Sequence, residues 1–280
     1  MNSIYNAIIV VGATAVLGGL APAGTAQPAQ TSQTYIEKPI AENFLNKGLE
    51  QAKRGDYRGA IADYTGAIRA NPNLTVAYIN RGMAHHDVGD FRKALADFEQ
   101  AVQLEPKSAF AYYNRGETRS DIGDLAGAII DLSQAIRLAP NYAKAYNDRS
   151  VVYVMMGNIN AALADLNQVI KLNPNEADAY YNRGKARTAL GDATGAISDY
   201  NLALRIKPDL AEAYGNRGLL YSETGNKQAA LADLHQASQL FAKHGDQQSY
   251  QQTLDFIQQI QQKGSQQPTS RAIPKKDITV

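Results

Sequence analysis

The 280-residue sequence contains no cysteine, so disulfide frameworks and thiolate metal sites are excluded. It has no excess of either charge: 28 Lys and Arg stand against 27 Asp and Glu, a net charge of +1. A balance so near neutral gives no field to draw in nucleic acid, and no basic stripe appears along the chain. Charged side chains are missing altogether from residues 1–26, where residues 7–20 form a 14-residue run of small and apolar residues. That run is short for a membrane-spanning helix, which needs about 20 residues, and right for the core of a signal peptide. Gly24, Thr25 and Ala26 place small residues just before a cleavage point at Gln27. The basic start usual in such leaders is lacking. Residues 1–26 are therefore expected to be a signal peptide, and the protein to be exported to a periplasm or to a thylakoid lumen or envelope. If the segment were left uncleaved it would anchor the chain, the one membrane contact the sequence allows. Residues 27–40, rich in Gln, Thr, Ser, Ala and Pro, read as a linker.

What is present is a repeat. Gly followed by Asp or Asn recurs at Gly55, Gly89, Gly123, Gly157, Gly191 and Gly225, always 34 residues apart. Ala60, Ala94, Ala128, Ala162, Ala196 and Ala230 keep the same period, as do Pro72, Pro106, Pro140, Pro174 and Pro208. Six copies in strict register fix the architecture before any helix is assigned. Each copy reads as two helices. In the second, residues 77–88 stop at Gly89-Asp90, where Gly ends one helix and Asp caps the next. Ala94, Leu95, Phe98, Ala101 and Val102 then recur at helical spacing until Pro106. One such pair cannot bury its apolar face alone, whereas stacked neighbours make a continuous core.

The period, the aromatic near the start of the first helix (Phe44, Tyr78, Tyr112, Tyr146, Tyr180, Tyr214), the Gly-Asp turn, the Ala pair and the final Pro resemble tetratricopeptide repeats. The resemblance covers six repeats, 41–74, 75–108, 109–142, 143–176, 177–210 and 211–244. It implies an all-α, right-handed superhelical solenoid of antiparallel helix pairs. It also implies a non-catalytic scaffold with a concave groove for a polypeptide partner, although the family is used with many partners. Residues 246–263 carry Tyr250, Leu254, Ile257 and Ile260 on one stripe and Gln elsewhere, as a capping helix requires; Phe256 falls off that stripe. Residues 264–280 read as a flexible tail. The leader, the Gln-rich cap and the repeat style are similar to those of bacterial, particularly cyanobacterial, repeat proteins.

Numbered from the first residue of each repeat, positions 2, 6, 9 and 13 of the first helix share one stripe. In the family that stripe lines the groove. Position 6 is Asn46, Asn80, Asn114, Asp148, Asn182 and Asn216. Each amide can donate to and accept from a peptide backbone, so the row forms a ladder for an extended chain. It resembles the asparagine ladder in the repeat domain of O-linked N-acetylglucosamine transferase. The alternative is that these amides only satisfy polar groups of neighbouring helices. Met83, Tyr113, Val151, Val154, Met155 and Tyr181 would add an apolar strip within a polar rim. Asp148 would favour a partner with a Lys, Arg or amide. Position 7 is Lys47, Arg81, Arg115, Arg149, Arg183 and Arg217, and position 23 is Asp63, Asp97, Asp131, Asp165, Asp199 and Asp233. They are expected to pair as a structural ladder, within or between repeats.

No cofactor is expected and no metal site: His85-His86, His235 and His244 have no carboxylate set at ligand spacing. No Ser/His/Asp set has a supporting motif, which leaves no candidate catalytic residue. The basic clamp with which one variant of the family grips chaperone tails is absent, since Leu45, Leu49, Phe110 and Asn114 stand at its places. The expectation is a polypeptide-binding scaffold that assembles an envelope or lumenal complex. A self-associating module, or an accessory subunit of a separately encoded enzyme, is the alternative.

Overall fold

The computed structural model describes residues 29–265, and every regular element among them is a helix. The expected signal peptide and residues 266–280 of the expected tail lie outside the described residues. In order, the helices are α1 (Ala29–Lys53), α2 (Tyr57–Ala70), α3 (Thr75–Asp87), α4 (Phe91–Leu104), α5 (Ala109–Asp121) and α6 (Leu125–Leu138). They continue with α7 (Ala143–Met155), α8 (Ile159–Leu172), α9 (Ala177–Ala189), α10 (Ala193–Ile206), α11 (Ala211–Glu223), α12 (Lys227–His244) and α13 (Gln247–Ser265). None of the described helices is long and apolar enough to cross a membrane.

Local chemistry sets the boundaries. Gly89 ends the first helix of its repeat at φ 80, a backbone conformation that a Cβ would disfavour. The next residue then caps the second helix. Asp56 accepts from the N–H of Gly59 at 3.0 Å, Asp124 from Gly127 at 2.9 Å, and Asp192 from Gly195 at 2.9 Å. Asn158 and Asn226 do the same work with their amide oxygens. The capping helix also starts this way, with Asp246 accepting from Ser249 at 3.0 Å.

One expectation is corrected. Residues 29–40 are not a linker but the first turns of α1, with Pro39 inside the helix. Beside that proline the stretch carries the good helix formers Ala29, Gln30, Gln33, Glu37 and Lys38, with the weaker Thr31, Ser32, Thr34, Tyr35, Ile36 and Ile40 among them.

The chain divides inside α7 into two compact units, one ending at Val152 and the other starting at Tyr153. In the first, α1 packs on α2, α3 on α4 and α5 on α6, and the contacts α2–α3 and α4–α5 join the pairs. In the second, α9 packs on α10 and α11 on α12, with α8–α9 and α10–α11 as the joints and α13 closing on α12. The same positions fill each core. Tyr64, Phe98, Leu132, Leu166, Tyr200 and Leu234 are fully buried on the second helices, beside Ala60, Ala94 and their equivalents. The large side chain fits because a glycine faces it: a Cβ on Gly82 would lie 2.7 Å from the Phe98 ring.

Candidate functional site

The first helices are held by a repeated ion-pair device. Arg81 donates to Asp97 from two nitrogens at 2.9 and 2.6 Å, Arg115 to Asp131 at 2.8 and 2.7 Å. Arg183 reaches Asp199 at 2.9 and 2.6 Å, and Arg217 reaches Asp233 at 2.7 Å by both nitrogens. All four lie within one repeat. The remaining guanidinium nitrogen reaches back to the preceding second helix: Arg81 to Thr65 at 3.1 Å, Arg149 to Ser133 at 2.9 Å and Arg183 to Asn167 at 2.8 Å. Arg115 meets Glu99 and Arg217 meets Asn201 in the same way. Each arginine thus ties two repeats together, and it stacks over the aromatic three residues earlier, as Arg115 does over Tyr112 at 5.4 Å.

The first repeat departs from this expectation. Lys47 forms no ion pair with Asp63 among the described residues, and its ammonium lies over the Phe44 ring at 6.0 Å. Sequence reasoning also missed residue 25 of each repeat, Thr65, Glu99, Ser133, Asn167 and Asn201. A polar residue at that place in five successive copies was the available signal.

With the helices fixed in this way, the position-6 row is not uniform. Asn46 is exposed, and Asn80, Asn182 and Asn216 are half-buried. Asn114 is buried, and its Nδ2 donates to the carbonyl of Phe110 in its own helix at 2.6 Å. Asn216 donates to the Tyr181 hydroxyl at 3.2 Å. Asp148 accepts from the Tyr113 hydroxyl at 2.7 Å and from Asn147 at 3.1 Å. Burial raises the Asp148 carboxyl from its ordinary value against the pull of those two donors.

Two expected groove aromatics are therefore corrected. Tyr113 is buried, packed with Leu132 and Ala128 and stacked at 4.9 Å on Tyr142. Tyr181 is half-buried against the core of its repeat, and burial pushes its hydroxyl up to about 12. Both stand at position 5, one residue off the stripe, so their rings turn toward the next repeat rather than outward. Met83 is half-buried against the Phe98 cluster.

Of the residues expected to form the apolar strip, three stand in water at the end of α7. Val151, Val154 and Met155 are exposed, and so is Met156. Positions 9, 12 and 13 also supply charge that sequence reasoning left aside: Asp87, Glu117 and Asp121, with His86 held to Asp121 at 2.7 Å. The same stripe count would have found them. Among the described residues no group of three or more His, Asp or Glu is arranged to hold a metal ion.

Family models described as tetratricopeptide repeats match residues 75–108, 111–142 and 211–244, and one described as TPR repeat matches 152–191 and 184–225. Together they span more than half of the sequence. The chain belongs to the tetratricopeptide-repeat family. Its fold is the all-α solenoid of that family. A solved structure of MamA is 30% identical, with 59% of this chain and 96% of that one covered at a TM-score of 0.55. YrrB, described as a TPR protein with an unusual peptide-binding site, is 25% identical over 65% of this chain and 93% of its own, also at 0.55. A tetratricopeptide repeat protein from Parabacteroides merdae shares the fold at a TM-score of 0.63, with 19% identity and coverage of 83% and 95%. Among curated proteins none matches the chain.

Proposed function

We propose that this tetratricopeptide-repeat protein is a non-catalytic scaffold that binds a polypeptide segment along its first-helix faces. We further propose that it does so while assembling a complex on the exported side of a membrane. The observation that carries the reading is the apolar run at the end of α7, where Val151, Val154, Met155 and Met156 are all exposed. Valine and methionine side chains left in water on one helix end are favoured when a partner covers them, and methionine adapts to partners of different shape. The open amides of Asn46 and Asn80 add backbone-reading groups on the face of the first unit. The expected export of residues 1–26 supports the location.

The test is a photoreactive residue in place of Met155, exposed to native envelope extract. One discrete heterologous adduct is expected, and Val154→Asp should abolish it while the helical circular dichroism stays unchanged. An adduct that survives Val154→Asp removes the α7 run from the reading. A second reading rests on the capping helix. Phe256 is 40% exposed and lines a cleft with Leu219 and Ile260, an apolar surface of the kind self-association needs. Adducts formed only with the protein's own chain, lost on Phe256→Asp, would favour it.

A further inference from the structure

The last repeat departs from the other five at position 17, the first residue of the second helix. That place is Tyr57, Phe91, Leu125, Ile159 and Ala193 in turn, and then Lys227. Tyr57, Leu125 and Ala193 pack on the cores of their repeats, and Phe91 meets the His86 ring at 5.2 Å. Lys227 instead is exposed, and it lines a cleft of about 390 Å³ formed by α11, the start of α12 and α13. Leu219, Phe256 and Ile260 give this cleft an apolar lining, and Glu223 stands with Lys227 among its polar groups. Both charges sit at the wrong end of a helix. Glu223 is the last residue of α11, where free carbonyls carry partial negative charge. Lys227 is the first of α12, where free N–H groups carry partial positive charge. Neither forms an ion pair among the described residues. An opposite charge brought from outside the chain relieves each of them.

A surface with one open acid and one open base beside an apolar cleft is complementary to itself. Where a two-fold axis joins two copies, residue i meets residue j and j meets i. We propose that a second copy of this chain covers the cleft across such an axis, a claim that rests on the self-association reading above. Glu223 then pairs with the partner subunit's Lys227, and Lys227 with the partner subunit's Glu223. Phe256, 40% exposed in the single chain, is laid against the apolar lining of the other copy's cleft. The charges also decide between occupants. A partner carrying one sign of charge satisfies one of the two groups and repels the other, whereas a second copy satisfies both.

Sedimentation velocity on the full chain over a range of concentrations tests the proposal. A monomer–dimer equilibrium is expected with nothing beyond the dimer, because an isologous contact closes on itself. Glu223→Lys and Lys227→Glu should each weaken the dimer at least about tenfold, since each sets like charges face to face twice. Neither should lower the melting temperature of the dilute monomer, because each puts at its helix end the charge that the dipole favours. An equimolar mixture of the two variants should recover the dimer. In that heterodimer, residues 223 and 227 are again opposite in sign at both contacts. A mixture that stays monomeric overturns the pairing. A mass that grows past the dimer overturns it as well, being the mark of a head-to-tail contact. A dimer lost in Phe256→Asp yet indifferent to both charge variants keeps the self-association reading and overturns the two-fold pairing. A chain that is monomeric at every concentration overturns both.

Discussion

Replacing Arg81 with Met should be among the most damaging single changes in the first unit, and more damaging than the equivalent change at Arg115. Asp97 and Asp131 are both buried carboxylates, with side chains 7% and 1% exposed. Their cation supply differs. Asp97 has Arg81 alone as its hydrogen-bonding partner among the described residues, at 2.9 and 2.6 Å. Asp131 has Arg115 at 2.8 and 2.7 Å and also Arg119 at 2.7 Å. Position 11, which supplies Arg119, holds His85 in the second repeat. Arg81→Met therefore leaves a buried charge without compensation, at a cost of ~3–5 kcal/mol. Arg115→Met keeps one charge-assisted bond and should cost only ~1.5–3 kcal/mol. Arg81→Met/Asp97→Leu should recover most of the loss, because no orphan charge remains. Urea unfolding followed by circular dichroism gives the totals, and native-state hydrogen exchange at the α4 amides assigns them to the repeat, since repeat arrays need not unfold in one step. Equal costs for Arg81→Met and Arg115→Met, or a cost below ~1 kcal/mol for the former, would refute the reasoning.

Gly82→Ala should destabilise by ~1–3 kcal/mol, because its methyl would sit 2.7 Å from the packed ring of Phe98. Gly215→Ala, where an added Cβ meets nothing within 4 Å, should instead stabilise α11 by ~0.5–1 kcal/mol; thermal melts of the two variants give the contrast. Burial raises the Asp148 carboxyl, so the folded chain holds that proton more tightly than the unfolded one and deprotonation opposes folding. Asp148→Asn should thus stabilise at pH 7, with a gain that fades as pH falls toward the unfolded Asp value of about 3.9; a gain that grows on acidification would contradict it. His85 is shifted down by burial, which outweighs the attraction of Asp97 and Asp90 and adds to the repulsion of Lys93 and Arg81. Its contribution is present above about pH 6.5 and lost as the folded form is forced to take a proton, so His85→Leu should flatten the acid limb of a urea-midpoint profile.

The comparison of expectation with structure is most instructive at position 6. Asn114 and Asn216 are the same letter at the same place, yet one lies buried on its own helix and the other holds the hydroxyl of Tyr181. The difference lies at position 5 of the preceding repeat, which is Ile79 before Asn114 and Tyr181 before Asn216, and only the tyrosine offers a hydroxyl. Likewise, the pairing of Arg with Asp recurred plainly in the sequence, while the in-repeat spacing of 16 residues and the second grip on the preceding helix did not. Asp87 and Glu117 lay on a stripe already counted, but nothing in the sequence placed them with Asn114 around one cleft.

The sequence by itself determined the period, the helix pairs and their ends. These follow from contacts within a few residues, such as a left-handed glycine, a capping Asp and a small residue facing a large one. The tertiary structure decided which members of each repeated row stay open to a partner. That choice depends on side chains about 35 residues away in the next repeat, as between Tyr113 and Asp148, where burial and hydrogen-bond supply are set by the stacking of one repeat on another.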